Sequence, residues 1–564
     1  MPSSRRRFLF VPCLALPLLL GAPVLSGAPP SADAPASADV CVYGATPAGI
    51  VAALTAKQEG LSVVLIEPSR WVGGILGAGI KPMQDCPEPR AVGGLTKSLV
   101  FTAGKNPPAI RASFAKWLAE AGIPILFEHR VSKADKEGAR ITKLHLEHAP
   151  PDAWGVPAPK AADDSGTVIT AKVYIDASYE GDLLPAAGVS YAVGREAMEK
   201  FQESVAGVGP PTNWTPISPF ITPGDPASGL LPWVDKDHGK ARHEGDDYTQ
   251  AYNFRFYVTS DPEKRAALTP PEDYSPAQYE LVGRYVEHLV KQAGTEAVKL
   301  KEQLSGIFPG WRNEGEYNYQ RKSLVTMAPL GISRFYQDGD RAAKSKVWRQ
   351  HIDYLRGLHH FLSTDARVPE DFRTETAALG LDKTMHPDTA GWPHQLYVRI
   401  SRRMQSGYIL SHADVLNKTE EKDGVGLALY GVDIYPVRRY VALHPETEEL
   451  GVATEGNMFV GGARGTGHPY PVPYRSIVPK AAECSNLLVP TCFSATFIAY
   501  ASARMEPVFC VLGESSAVAA AQAIREGREV QSIDVPKLQA RLLERGQVIA
   551  WNPGTPDAAE PKAK

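Results

Sequence analysis

The feature that most restricts the fold is the run Val40-Cys-Val-Tyr-Gly44-Ala-Thr-Pro-Ala-Gly49-Ile-Val-Ala-Ala-Leu54, followed by Ser62-Val-Val-Leu-Ile-Glu67. An apolar strand, a glycine turn, an alanine-rich helix and a second strand ending in an acid form the layout of a dinucleotide-binding βαβ unit. Gly44 makes the turn, Gly49 lets helix and strand approach closely, and the helix N-terminus offers N–H groups to a pyrophosphate. Glu67 lies about twenty residues further on, the spacing expected of an acid that holds ribose hydroxyls. Thr46 stands where the fingerprint has its middle glycine, and Pro47 suits a first helical turn, where its missing N–H is not needed. Taken alone, this turn leaves NAD, FAD and an ordinary βα turn without nucleotide all open.

With 564 residues the chain exceeds one ordinary core, so two interleaved domains are expected. A formal charge of −3 with acids and bases intermixed argues against a nucleic-acid groove. At the N-terminus, Ser4-Arg5-Arg6-Arg7-Phe8-Leu9 precedes an apolar run over 11–22, the pattern of an export signal. It is similar to a twin-arginine signal, with a plain secretory signal as the alternative. Residues 1–28 are therefore read as the signal and 29–38 as a linker, leaving no stable membrane span after cleavage and placing the protein in the periplasm or outside the cell. Five cysteines remain beyond Cys13: Cys41, Cys492 and Cys510 read as core, and Cys86 and Cys484 as a possible pair in loops. No zinc or haem spacing occurs, and no metal site is expected.

Beyond Glu67, Arg70-Trp-Val-Gly73-Gly74-Ile-Leu-Gly77-Ala-Gly79 is dense in glycine, as a loop lying along a ligand would be. A helix is predicted over 111–121 and strands over 123–131, 140–147 and 166–176, the last running into Asp176-Ala177-Ser178-Tyr-Glu180-Gly181-Asp182. Residues 39–192 then form the first part of a nucleotide domain, 193–479 an inserted α+β substrate or cap domain with helices over 276–294 and 344–364, and 480–534 the second part. A C-terminal helix and tail follow over 535–564. The apolar stretch 508–525 predicts a buried helix opening near Gly513-Glu-Ser515-Ser516, whose N-terminus would stabilise negative charge.

Together, Gly44-Ala-Thr-Pro-Ala-Gly49, Glu67 with Arg70-x-x-Gly73-Gly74, Ile175-Asp-Ala-Ser-Tyr-Glu-Gly181-Asp182, Asn486-Leu-Leu-Val-Pro and Ser502-Ala-Arg504-Met-Glu506-Pro507 resemble the FAD-dependent oxidoreductase family that is often exported by bacteria and carries a Gly-x-Thr-Pro-Ala-Gly loop. The resemblance spans 39 to about 534. It implies an α/β, Rossmann-like FAD-binding fold of the glutathione reductase and fumarate reductase kind. It further implies that Gly44, Thr46, Pro47, Ala48 and Gly49 cradle the pyrophosphate, Glu67 holds the adenosine ribose, and Arg70, Gly73 and Gly74 pass along the ribityl side. Val131, ending its strand, meets the adenine. Ala177, Ser178 and Asp182 close over phosphate and ribitol, and Gly513, Ser515 and Ser516 address the isoalloxazine.

Catalytic candidates fall in and after the insert. Arg399 and Arg403, in a segment read as the start of a helix, share one face as an exposed basic patch or as a clamp for an anionic substrate. Asp433 and Tyr435 line the active side by resemblance, and Arg475 and Arg504 are cations beside a reducible ring or members of salt bridges. The chain departs from the family's usual pattern: Tyr435 replaces the histidine of Asp-x-His, and Phe497 that of Ser-Ala-x-His. Tyr435, His412 or His468 would then supply the base, or turnover is lost. The leading expectation is hydride removal from a small sugar, polyol or hydroxy acid, with oxygen or another acceptor taking the electrons. A carbohydrate hydrolase or lyase, needing paired acids such as Glu314 and Glu316 or Asp163 and Asp164, and a silent flavin binder are the alternatives.

Overall fold

The computed structural model describes residues 36–309, 315–318, 321–460 and 469–552, without the side chains of 164 and 165. The signal, residues 29–35 of the linker, His468, Glu314 and the tail after 552 lie outside the described residues; residues 37 and 38, expected in the linker, already belong to the first strand.

Strand β1 (Ser37–Tyr43) is apolar along nearly its whole length because it runs through the middle of a sheet covered on both faces. Helix α1 (Pro47–Gln58) follows. Thr46 caps it, its Oγ1 accepting from the Gly49 N–H, and Pro47 takes the first turn. Strand β2 (Val63–Glu67) returns parallel to β1, with Val40 opposite Val63 and Tyr43 opposite Ile66. After a helix over Pro107–Glu120 come β3 (Ile125–Phe127), β4 (His129–Glu137), β5 (Arg140–His148) and β6 (Asp163–Asp176). The order β3-β2-β1-β6-β5-β4 combines a parallel half, β3 to β6, with an antiparallel meander of β6, β5 and β4. The returning strand β7 (Leu487–Leu488) pairs in parallel with β6. Because Tyr43 lies opposite Asp176, the loops at Gly44, Glu67 and Ala177 emerge side by side at the carboxyl ends of three neighbouring strands, where open α/β sheets bind ligands.

Residues 193–479 hold smaller sheets, one of four strands over Phe256–Thr259, Arg265–Ala266, Gly315–Tyr317 and Gly380–Asp382, and one of three over Pro211–Thr215, Arg438–Leu443 and Leu450–Glu455. The long helix α2 (Arg341–Thr364) starts at the Asp340 cap and faces the strand ends. The strand pair Gly424–Ala428 and Tyr470–Pro473 packs on helix α3 (Glu506–Glu526), with the Ser515 hydroxyl donating to the Val425 carbonyl. One apolar core therefore runs without a break from β1 and α1 through this region to α3, and a second cluster covers the other face of the sheet.

Three local expectations are corrected. Residues 393–402 are not helical, so Arg399 and Arg403 do not share a helix face; the Arg403 guanidinium is buried against Glu196 at 2.6 Å. Helix α3 opens at Glu506, with Pro507 in its first turn, and Gly513 lies in its interior. Cys86 and Cys484 do not pair: Cys86 and Cys484 are free thiols, the latter buried in the core. Helix α3 is long and apolar enough to cross a membrane, yet it is buried within the protein.

Candidate functional site

At the strand ends lies a cleft, open to solvent, lined by Gly44, Thr46, Glu67, Ser178, Asp182 and residues of α2. A smaller hollow continues it along Trp71, Val72, Gly74 and Gly77. The cradle is bare backbone by necessity. Gly44 has φ +97°, and a Cβ there would stand 2.9 Å from the Ser178 nitrogen; a Cβ on Gly49 would overlap the Gly44 carbonyl oxygen. The Thr46 hydroxyl donates to the Ala177 carbonyl at 2.7 Å while capping α1, so the residue that replaces the fingerprint glycine fastens the first turn to the end of β6. Pro47 and Ala48 follow it in the first helical turn, buried. Ser178 donates to Asp176, whose carboxyl burial raises to about 7 against the opposing donors Ser178 and Leu183. The Glu67 carboxylate accepts from the Ala45 and Ser69 amides at 2.6 and 2.8 Å; burial raises its pKa and those donors pull it back.

Asp182 does not stand free over the cleft. It takes Arg341 at 2.6 Å, Lys344 at 3.1 Å and Arg402 at 3.3 Å, and although burial opposes ionisation these three cations hold its carboxyl well below the usual range. Arg341 and Lys344 are one turn apart on α2 and line the cleft together with Arg130. Val131 is the third residue of β4, not its end, and both its backbone groups are engaged: its N–H donates to the Tyr43 hydroxyl at 3.4 Å and its carbonyl accepts from Arg341 at 3.0 Å. Arg70 pairs with Glu128 at 2.6 Å. Gly73 and Gly74, both at positive φ, fit under Phe114 and Tyr179, whose rings a Cβ would meet. His394 stacks on Trp71 at 4.0 Å between ring centres and directs Nε2 to Asp388 at 3.0 Å. Burial lowers its pKa to about 4, so the ring is neutral near pH 7, and its buried Nδ1 has no partner.

A second polar cluster gathers four of the five catalytic candidates. Arg504 donates to the Tyr397 hydroxyl at 3.1 Å and to the Asp433 carbonyl at 2.9 Å, and Arg321 pairs with Asp433. Arg399 donates to the Ala251 carbonyl and to Asn253 Oδ1, and lies over the rings of Tyr435 and Tyr397 at 4.1 and 4.5 Å. Asp85, a non-glycine residue at φ +59°, adds a carboxyl to the same field; burial raises its pKa against Arg255 and Arg504. The segment that carries His394 in the cleft carries Tyr397 and Arg399 in the cluster, and the glycine loop ending at Gly79 abuts Arg255.

Arg475 is a correction. Its side chain is 52 % exposed and bound by Asp423 and Glu421, a surface pair outside both cleft and cluster. Gly513, Ser515 and Ser516 are corrected too: they are interior residues of α3. A Cβ on Gly513 would run into the Ala48 carbonyl, so this glycine allows α3 to cross α1 closely and does not face a ring. The helix terminus expected there is at Glu506, which accepts from the Tyr179 hydroxyl at 2.8 Å and whose pKa burial raises to about 8. His412 opens a short helix beside Glu203, away from the cleft linings, and Phe497 donates its amide to Glu196. Glu316 is taken by Arg255 and Asp163 faces His148, so neither supplies a free acid pair. Among the described residues no cluster of three or more His, Cys, Asp or Glu side chains is placed to hold a metal. The sequence reading missed Arg341, Lys344, Asp85 and His394. Arg341-x-x-Lys344-x-x-x-Trp348 is a one-face helical spacing that could have pointed to the first two.

The family model for FAD dependent oxidoreductases matches residues 39–542. The chain belongs to this family. FAD is the cofactor that this membership gives it. No curated protein matches it. Among solved structures, similarity is found to thioredoxin reductase of T. acidophilum at 20% identity over 25% of this chain and 35% of that one, with a TM-score of 0.16. THI4 of Thermovibrio ammonificans follows at 19% identity over 28% and 67%, TM-score 0.20. An oxidised steroid monooxygenase bound to NADP shares 24% over 28% and 27%, TM-score 0.18. The chain thus spans about a third of the length of the first of these.

The residues present fit the cofactor. A glycine cradle at a helix N-terminus with Arg341, Lys344 and Arg130 beside it suits a pyrophosphate, and Glu67 at the strand end suits ribose hydroxyls. Bound there, FAD supplies hydride acceptance.

Proposed function

We propose that this FAD-dependent oxidoreductase oxidises an alcohol carbon of a small organic substrate, a sugar, polyol or hydroxy acid, at the cluster around Arg399, Arg504 and Asp433. The carbon–hydrogen bond breaks with its electron pair leaving as hydride to the cofactor, the hydroxyl proton goes to a base, and a carbonyl product forms. The observation that carries this reading is that four cationic side chains and two tyrosines from distant parts of the chain meet where the glycine loop and the segment 388–399 lead away from the cofactor cleft. Asp85 is the base in this reading. Its carboxyl, with a pKa raised by burial against the field of Arg255, Arg504 and Arg399, offers a proton acceptor without either histidine of the family pattern. His394, neutral and oriented by Asp388, acts as a hydrogen-bond acceptor toward cofactor hydroxyls. The basic and apolar N-terminal run supports export, which cell fractionation tests.

The purified protein should be yellow, and anaerobic addition of the substrate should bleach the flavin band. Asp85→Asn should retain the colour and slow bleaching by about 100-fold or more, the usual scale for a general base. A fully loaded protein that no sugar, polyol or hydroxy acid bleaches would refute the reading.

A further inference from the structure

The cluster contains more buried donor capacity than the protein uses. Arg399 is 2 % exposed and Arg504 3 %. Each guanidinium keeps a buried Nε–H without a partner, and so does the amide nitrogen of Gln250, whose Oε1 accepts from Arg504 at 3.3 Å and from the Tyr435 amide at 3.2 Å. Both guanidinium carbons lie within 6.0 Å of the centre of the Tyr397 ring, Arg399 at 4.5 Å and Arg504 at 5.9 Å. Arg504 shares Asp433 with Arg321. Arg399 has only a carbonyl, an amide oxygen and two aromatic faces, and no carboxylate among the described residues pairs with it.

A buried guanidinium without a directly paired carboxylate is costly, as is each buried N–H without an acceptor. Three such donors, two on the guanidinium groups beside the Tyr397 ring and one on the Gln250 that contacts Arg504, suit a single planar anion with two acceptor oxygens. A neutral hydroxyl would satisfy one donor and leave Arg399 without a directly paired carboxylate.

We propose that Arg399 and Arg504, assisted by Gln250, bind a substrate carboxylate, so that the alcohol oxidised belongs to a hydroxy acid, sugar acids included, and not to a neutral sugar or polyol. This rests on the reading of the cluster as the substrate site. The carboxylate fixes one end of the substrate and leaves its hydroxyl-bearing carbon to the chemistry described above.

The test uses the FAD-loaded protein under anaerobic conditions, with lactate and gluconate as acids, glycerol and glucose as their neutral counterparts, and inorganic phosphate as a different anion. Binding is read from perturbation of the flavin spectrum and by calorimetry, and turnover from bleaching. An acid should bind with an affinity about 10- to 100-fold tighter than its neutral counterpart, the range for a charge-assisted pair. R399M should lose that preference while retaining FAD, and R399K should keep part of it. Equal binding of acids and neutral compounds, binding of phosphate alone, or an acid preference unchanged in R399M would overturn the proposal. The wild-type comparison stands even if R399M fails to fold. Acids that bind without bleaching the flavin would leave the carboxylate site in place and refute the oxidation reading; neutral polyols that bleach it where acids do not would do the opposite.

Discussion

Asp182 allows a quantitative test of how the cofactor cleft is held. Its carboxylate faces Arg341, Lys344 and Arg402, but the three depend on it unequally. Arg341 is 30 % exposed and also donates to the Val131 carbonyl, and Arg402 keeps Asp338 at 3.0 Å. Lys344 is buried and Asp182 is the carboxylate it pairs with, so Asp182→Asn strands this one ammonium. Breaking a buried pair from one side costs about 3 to 5 kcal/mol. The apo variant should lose stability by that amount at pH 7 in urea denaturation followed by tryptophan fluorescence. The pH dependence has a definite sign. The folded carboxyl titrates below the unfolded value of about 3.9, so its contribution is complete above that value and is lost as pH falls through the folded one. The penalty should therefore be level from pH 5 to pH 8 and shrink only below about pH 4. Asp182→Asn combined with Lys344→Met removes the stranded charge and should recover at least half of the loss, a coupling that independent sites would not show. FAD retention should not recover in the double variant, because Lys344 also lines the cleft. An Asp182→Asn protein within about 1 kcal/mol of wild type, or a double variant no better than the single, would refute this account.

Other perturbations separate the remaining roles. Gly49→Ala drives a Cβ into the Gly44 carbonyl and should yield protein that is insoluble or lacks FAD; a yellow, soluble variant would show that the turn can relax. Glu67→Ala should lower the flavin-to-protein absorbance ratio after gel filtration, and full occupancy would refute its ribose role. Arg475→Ala should leave the rate of flavin bleaching within about twofold of wild type, since a half-exposed ion pair contributes little; a larger drop would return Arg475 to the site. Glu506 has a folded pKa raised to about 8, so the folded protein holds its proton between the unfolded value and that one, and stability should fall as pH rises across this window by on the order of 1 kcal/mol per unit. Glu506→Gln should flatten its share of the slope, and an unchanged slope would rule out the buried carboxyl as its source.

How much of this was legible follows the range of the forces involved. The βαβ unit, the Gly73-Gly74 loop and the end of β6 are local patterns in which spacing alone dictates geometry, and the strand ends gather Gly44, Glu67 and Ala177 as that spacing implies. The cluster was half legible: Arg399, Asp433, Tyr435 and Arg504 were found as residue types in promising segments, but their meeting depends on contacts across more than a hundred residues in the case of Arg504 and Tyr397. Asp85 was hidden because nothing in the sequence marks an aspartate that adopts a left-handed backbone. Arg475 was misplaced because a cation beside prolines and tyrosines reads alike whether its counter-charges are surface acids or a ligand. The start of α3 was misplaced for a more instructive reason. Met505-Glu506-Pro507 carries an acid and a proline in the first turn, a sound start signal, but the helix was read as opening near Gly513. In the structure Gly513 is where α3 crosses the first turn of α1, against Ala48, while Gly49 on the same turn faces Gly44. The two glycines act on different helices: Gly49 lets α1 close on the strand end at Gly44, and Gly513 lets α3 close on α1 at Ala48. A glycine in the middle of an apolar helix should therefore be weighed as a helix-crossing point whenever another glycine-rich turn must be buried, and here that reading would have placed the helix end at Glu506 and kept Gly513, Ser515 and Ser516 out of the site.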